Sequence, residues 1–466
     1  METAHPDEPI SGRDYDVMVI GGGGAGSMAA IHAAAKQAHV CLLEATAKLG
    51  GSTALSGGRL MAADTRIQRE NNVVDSTAAF FADVLAVNPD SVDPEALRRV
   101  CEGSRDVLEW LTTRGVSFSY DPAPPRCHGA DGFGEGLYRG IETALSQAGV
   151  DIALRSRVTR LLTDNAGAVT GAIVDGEPVS AGAVILATGG YGANREMLHQ
   201  FLPRSDYAGD WLYYVGNPAN VGDGIEMGKT LGAAVVGPDQ GLVGTGNGFH
   251  KTAEVHIPGW LMVVNEQGKR FASEFSPYWV FPERLREQTN HRGFAIMDSR
   301  MIEEAYPDRR LAIAYALGFT AISWLPDDLK ENVVSGKVVQ AGSVAELARR
   351  IKIDPATLEA TVARYNGFCA SGNDEEFGKT AEDLESIKVA PFFAIEVRNH
   401  IVWVTQGGLV IDKDARVLKA KGGPAIPGLY AAGEVTGNVL GARYAGTGFS
   451  IANALTFGRI AGERAA

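Results

Sequence analysis

The chain has 466 residues, 45% of them hydrophobic and 57 of them glycine, enough for two domains with ample core and in keeping with an α/β enzyme. A formal net charge of −13 argues against nucleic acid or an anionic membrane surface as the partner. Cys41, Cys101, Cys127 and Cys369 fall in no metal-like or C-x-x-C spacing, so the expectation is reduced thiols, a cytoplasmic location and no metal site. Residues 1–8 lack the basic and apolar regions of a signal peptide. No run of about 18 apolar residues is present, so no membrane span is expected.

Residues 16–20 form a short apolar, β-branched run, the pattern of a buried parallel strand. Gly21, Gly23 and Gly26 then supply a G-x-G-x-x-G turn. In such a turn the first glycine permits the tight bend and the second lets the backbone approach a pyrophosphate. The third lets the following helix pack close to the strand. With Gly24 and Ala25 opening it, an alanine-rich helix over 25–38 presents its positive N-terminus to the diphosphate. A second strand, 39–43, ends in Glu44, placed to accept hydrogen bonds from an adenosine ribose. Strand, loop, helix, strand and acid in this order predict dinucleotide binding.

The loop 50–58 carries only small residues around Leu55 and is bracketed by the pairs Gly50-Gly51 and Gly57-Gly58. Such a loop suits a flat approach to a large planar ring, with Leu55 marking it as packed rather than a surface connection. Further along, 94–114 reads as a helix, and 169–174 and 183–187 as strands, the latter running into Thr188-Gly189-Gly190. Gly222-Asp223-Gly224 opens a helix from a glycine turn. From about 238 the texture changes to aromatics, prolines and charged helices, with 344–365 amphipathic. The segment 407–412 leads back, and Ile426 to Glu434 reads as a buried strand ending in Ala432-Gly433-Glu434, poised to meet a ribityl chain. A dinucleotide met by both ends of a chain is FAD rather than NAD. The expected fold is α/β: a Rossmann-like FAD-binding domain (14–237 and 395–466) interrupted by an inserted α+β capping domain (238–394).

The order of these pieces resembles the fumarate reductase/succinate dehydrogenase flavoprotein superfamily over nearly the whole chain. The likeness includes Asn265-Glu266-Gln267-Gly268-Lys269-Arg270-Phe271, and Tyr365-Asn366 followed by Phe377-Gly378. Within it the chain is most similar to the 3-ketosteroid dehydrogenases. Tyr444-Ala445-Gly446-Thr447-Gly448 is similar to their Tyr-Ala-Gly-Pro-Gly segment, with Thr447 in place of proline. Glu274-Phe275-Ser276-Pro277-Tyr278 is similar to their Glu-x-x-Pro-Tyr stretch, and Tyr120, in Phe118-Ser119-Tyr120-Asp121-Pro122, to a second active-site tyrosine. The resemblance implies desaturation of a cyclic ketone, and a chain this short suits a smaller cyclohexanone-type ketone as well as a steroid. It implies FAD contacts from Ala45, Gly51, Ser52, Thr53, Ser56, Gly57, Gly58, Val158, Asp223, Ser450 and Ile451, besides the residues of the turns above. The loop carries Ser52 and Thr53 where covalently flavinylated relatives keep a histidine, so the FAD is expected to be non-covalent. Its electron acceptor is unidentified: a quinone, a dye-like acceptor or oxygen.

The residues suit that chemistry on their own terms. Removing two hydrogens beside a ketone takes an α-proton, leaves an enolate, and sends the β-hydrogen as hydride to flavin N5. A base is needed near the α-carbon and donors at the carbonyl oxygen. The Tyr444 hydroxyl and Gly448 N–H, on a glycine-rich turn before a helix over 450–461, can converge on one oxygen. Losing such a donor typically costs roughly 3 kcal/mol of transition-state stabilisation. Tyr278 is the expected base, assisted by Tyr120, a role that calls for a tyrosine pKa lowered from about 10. The alternative is reduction of an unsaturated carboxylate. It would use Arg443, one residue from where fumarate reductases keep a substrate-binding arginine, and His250, but the reductases' Thr-Thr-Arg-Asp stretch is replaced by Phe275-Ser276-Pro277-Tyr278. A flavin-binding protein without turnover would require none of these tyrosines.

Overall fold

A computed structural model describes residues 13–121 and 126–466. The run 1–8, and Pro122 of the Tyr120 stretch, lie outside the described residues. The chain forms two compact units. One comprises the residues up to Pro203 with Gly216–Gly241 and Val404–Ala466; the other comprises Arg204–Val215 and Leu242–Trp403. Sequence patterning placed the boundaries near 238 and 394 and assigned 204–215 to the nucleotide domain. That short segment joins the inserted unit instead because its strand Tyr213–Tyr214 pairs in parallel with Ile401 and Val402.

In the first unit, β1 (Tyr15–Ile20) is followed by α1 (Gly24–Ala34) and β2 (Val40–Glu44). β1 lies between β2 and the strand Glu177–Leu186, and Asp151–Leu154 and Ala425–Ala431 extend the parallel sheet on either side. Val17, Val19, Leu42 and Ile185 are at most 1% exposed, which explains why these strands read as unbroken apolar runs. α1 stops at Ala34, short of the expected 38, because Gln37 turns left-handed with φ 67°. A Cβ on Gly26 would stand 1.8 Å from the Gly21 carbonyl oxygen, so the helix seats on its turn only without a side chain there. The strands Arg59–Met61, Cys127–Ala130 and Phe118–Asp121 form a separate antiparallel sheet. Two expectations fail locally. The loop 50–58 contains a one-turn helix, Gly51–Leu55, and Leu55 is 53% exposed rather than packed.

The second unit is built on the strand Phe392–Thr405, paired with Arg292–Asp298 and Val338–Ala341. Trp260, Met262, Ile296, Trp324, Leu347, Leu358 and Phe393 belong to its core. The amphipathic stretch 344–365 is two helices, Val344–Arg350 and Pro355–Ser371. Asp354 caps the second by accepting the Thr357 N–H at 2.8 Å, and Pro355 takes the first helical position, where its missing N–H costs nothing. The motif residues of this region hold the fold. Arg270 donates to Asp374 at 3.0 and 2.9 Å and to Glu274 at 3.1 Å, while Lys379 donates to Tyr365 at 2.9 Å. The four charged side chains are 0% exposed, two of each sign, so the cluster is buried with its charge balanced. Asn366 exchanges two hydrogen bonds of 2.8 Å with the Ile387 backbone. Among the described residues, no helix is long and apolar enough to cross a membrane, and no group of His, Cys, Asp and Glu is arranged to hold a metal.

Candidate active site

The first unit carries a dinucleotide cradle. Gly23, the N-cap of α1, offers no side-chain cap, and no acid stands in the first turn, so the leading amides of the helix are left for an anion. Glu44 is 6% exposed; it accepts the Gly22 N–H and the Thr46 N–H, each at 2.8 Å. The acid thus fixes the glycine turn, and each carboxylate oxygen retains a lone pair for a ribose hydroxyl. Gly51 approaches so near to Gly23 that a Cβ on it would lie 3.1 Å from the Gly23 Cα, bringing the two glycine loops together backbone to backbone. Ser52 accepts the Asn217 N–H at 3.0 Å and the Asn220 side-chain amide at 3.1 Å. Ser56 accepts the Gly58 N–H at 3.1 Å, and Thr53 is buried.

The remaining expected contacts lie at strand ends. The Thr188 hydroxyl is buried with no hydrogen-bond partner, a group waiting for an acceptor. Glu434 accepts the Thr405 N–H at 2.8 Å and its hydroxyl at 2.7 Å; burial raises its pKa and those bonds oppose the rise. Gly433 has φ 84°, and a Cβ on Gly190 would meet the Thr405 hydroxyl and Glu434. Asp223 is ion-paired with Arg157, and Val158 is buried in the strand Val158–Thr163. Uncapped amides, an unpartnered hydroxyl and paired glycines fit a flavin dinucleotide.

Tyr444 and Gly448 come together at the start of the helix Phe449–Ala465. The Tyr444 hydroxyl oxygen lies 3.0 Å from the Ser450 hydroxyl that donates to it and 3.5 Å from the Ser450 amide. Burial raises the Tyr444 pKa, opposed by the Ser450 hydroxyl and amide and by the Gly448 amide. Gly448, the N-cap, has φ 92°, and a Cβ there would stand 2.7 Å from the Met61 nitrogen. Its carbonyl accepts the Met61 N–H at 3.2 Å, which ties the turn to the strand Arg59–Met61. Tyr120 stands edge-on to His128, ring centroids 5.8 Å apart, on the strand Phe118–Asp121. Its pKa is raised by burial and by the nearby Asp75, Asp121 and Cys127, so this environment does not favour the phenolate.

In the second unit, Tyr278 sits in the turn that enters the helix Phe281–Arg286, with the Pro277 carbonyl accepting the Val280 N–H at 2.8 Å. Three aromatic rings surround it: Trp279 at 5.0 Å, His256 at 5.5 Å and Trp403 at 6.4 Å between centroids. Desolvation, then the Arg310 charge, lowers the His256 pKa to about 3, and Asp308 opposes this, so the imidazole is neutral. Two residues upstream, the buried Glu254 accepts the Ser323 hydroxyl and N–H, at 2.5 and 3.2 Å, through one oxygen, and its other oxygen has no partner. Burial pushes its pKa up to about 8. His256, Trp403, Glu254 and the Asp308–Arg310 pair belong to no motif that the sequence analysis singled out. Of the residues wanted for carboxylate reduction, His250 is engaged elsewhere, whereas the Arg443 side chain is exposed. His250 pairs with Asp328 at 2.6 Å, and the Arg443 backbone is clasped by Asn88 through two bonds of 2.8 Å.

Comparison with known proteins agrees with the cradle. The profile of the family described as FAD binding domain matches residues 16–451. The chain is 31% identical over 471 residues to a fumarate reductase (cytochrome) of Shewanella frigidimarina, covering 97% of this chain and 77% of that one. It is 27% identical to a 3-oxosteroid 1-dehydrogenase of Mycobacterium tuberculosis, covering 96% and 98%. Among solved structures, the 3-ketosteroid-Δ4-(5α)-dehydrogenase of Rhodococcus jostii RHA1, in complex with 4-androstene-3,17-dione, superposes with a TM-score of 0.76 at 26% identity, covering 98% of each chain.

Proposed function

The chain belongs to the FAD-binding domain family, an FAD-dependent oxidoreductase of the fumarate reductase/succinate dehydrogenase superfamily, and on that premise we propose that it desaturates a cyclic ketone beside its carbonyl. The observation that carries this reading is the Tyr444 hydroxyl set at a helix N-terminus beside the Gly448 amide. Two donors and a helix dipole there suit an oxygen on which negative charge develops. Tyr444 and Gly448 bind the carbonyl oxygen. Tyr278, among Trp279, His256 and Trp403, takes the α-proton as its phenolate: the α C–H bond breaks, a phenol O–H forms, and the electron pair stays as the enolate. FAD, held non-covalently, supplies the acceptor for the β-hydride, and a quinone, dye-like acceptor or oxygen takes up the two electrons afterwards. The aromatic surround of Tyr278 favours an apolar ring over a dicarboxylate.

The second reading, reduction of an unsaturated carboxylate, draws on the likeness to the Shewanella reductase. One experiment separates the two. Under the ketone reading, anaerobic addition of cyclohexanones, decalones or 3-ketosteroids bleaches the oxidised flavin. Under the other, fumarate or a related acid reoxidises the chemically reduced flavin, and no ketone bleaches it.

A further inference from the structure

One ion pair ties the segment after His256 to the turn before Tyr278. Arg310 donates through Nη1 to the Phe275 and Ser276 carbonyls at 3.0 and 3.2 Å, and through Nη2 to the Ile257 carbonyl at 3.0 Å. Asp308 accepts from Nε at 2.7 Å and from Nη2 at 2.8 Å, and its Oδ2 also takes the Gly259 N–H at 2.7 Å. All five N–H donors of the guanidinium are thereby used. The Phe275 ring lies 4.1 Å from the guanidinium carbon. The pair is shielded from water: the side chains of Arg310 and Asp308 are 16% and 2% exposed. The two stretches it joins carry the rings of His256 and Tyr278, 5.5 Å apart at an interplanar angle of 88°.

We propose that Arg310, oriented by Asp308, is a positioning residue for α-proton removal, setting the Tyr278 turn against the His256 segment. This rests on the ketone reading above. Proton transfer demands that the phenolate oxygen meet the α-hydrogen at reacting distance, and a displacement of about 1 Å costs on the order of 10²-fold. Three backbone carbonyls held by one planar fork give that precision. A lysine, with a single ammonium on a flexible stem, keeps the charge and loses the fork.

The test uses the FAD-loaded protein, without oxygen, and a ketone that bleaches the parent flavin. It follows deuterium exchange at the ketone α-carbon together with ketone affinity. Arg310→Lys is expected to slow exchange about 10²-fold and leave the affinity for the ketone nearly unchanged. Asp308→Asn, which leaves the carbonyl bonds of Arg310 in place, is expected to slow it about tenfold. In a Tyr278→Phe background, read by the slower flavin reduction that remains, Arg310→Lys should add no further loss, since the residue acts through Tyr278. A general structural role would instead multiply the two losses, and that result would overturn the proposal. Exchange at the parent rate in Arg310→Lys would overturn it as well. If the parent itself exchanges no α-deuterium with any ketone, the ketone reading fails and takes this role with it; parent exchange that ignores Arg310 removes the role alone.

Discussion

The nucleotide unit meets its polar obligations with backbone and glycine, whereas the inserted unit meets them with charged side chains. Around α1 the groups facing a ligand are uncapped amides, and Glu44 spends its carboxylate on two N–H groups. In the inserted unit, Arg270, Glu274, Asp374 and Lys379 form a buried lattice, and Arg310 with Asp308 forms a second. Backbone sites depend on the absence of a side chain, so they fail by steric exclusion. Side-chain lattices fail by leaving a charge uncompensated in a dry interior. The difference sets what each kind of substitution should do.

Gly26→Ala breaks the first kind most sharply. The new Cβ would stand 1.8 Å from the Gly21 carbonyl oxygen, so strand and helix cannot both keep their places. The expected outcome is a protein without yellow colour that accumulates poorly. Retention of stoichiometric FAD, read from its absorbance after desalting, would show that the turn yields more than this packing allows.

Arg270→Met probes the second kind. Removing the cation leaves Glu274 and Asp374 facing each other with only Lys379 to balance them. Breaking a buried pair in this way costs about 3–5 kcal/mol. Denaturant unfolding should lose that much stability, whereas replacing Arg270 together with Asp374 by apolar residues of similar size, which leaves the Glu274–Lys379 pair balanced, should recover part of it.

The same contrast explains what could be read from residues in order. The β1–turn–α1–β2–Glu44 module was legible because its whole logic is local: an apolar run, glycines at fixed offsets, and one acid. The Tyr444–Gly448 turn was legible for the same reason. Arg310 was not. In Asp308-Arg309-Arg310 it reads as a solvated charge run, and only the fold brings it against the carbonyls of residues 257, 275 and 276. The break in 344–365 was marked by Asp354-Pro355, a capping signal that the longer hydrophobic period masked. Leu55 misled because one apolar residue in a small-residue loop says nothing about which way the loop turns.

Substitutions at the two tyrosines sharpen the comparison at the chemistry itself. Tyr278→Phe should slow flavin reduction by the ketone about 10²-fold or more and abolish α-deuterium exchange, with substrate affinity little changed. Tyr444→Phe removes one hydroxyl that Ser450 donates to, so FAD and fold should be kept while flavin reduction falls by about 10²–10³-fold. If both variants reduced their flavin at the parent rate, neither tyrosine would touch the reaction, and the carboxylate reading would stand in its place.

The last contrast concerns Glu254, a buried side chain in the inserted unit with no ion pair among the described residues. Burial raises its pKa to about 8, against an ordinary glutamate value of about 4.3 in the unfolded chain. Between those values the folded state holds a proton that the unfolded state has released, so stability falls as pH rises. The contribution is fully present below the ordinary carboxylate range and is lost progressively up to about pH 8, at a slope of about 1.4 kcal/mol per pH unit for one proton. Glu254→Gln keeps an acceptor for the Ser323 hydroxyl and cannot ionise. Its melting temperature should therefore stay level between pH 6 and pH 8, where that of the parent declines, and the two should meet near pH 4, where both side chains are neutral. Parallel melting curves across this range would mean that Glu254 is ionised in the fold, with water or a cation reaching its second oxygen.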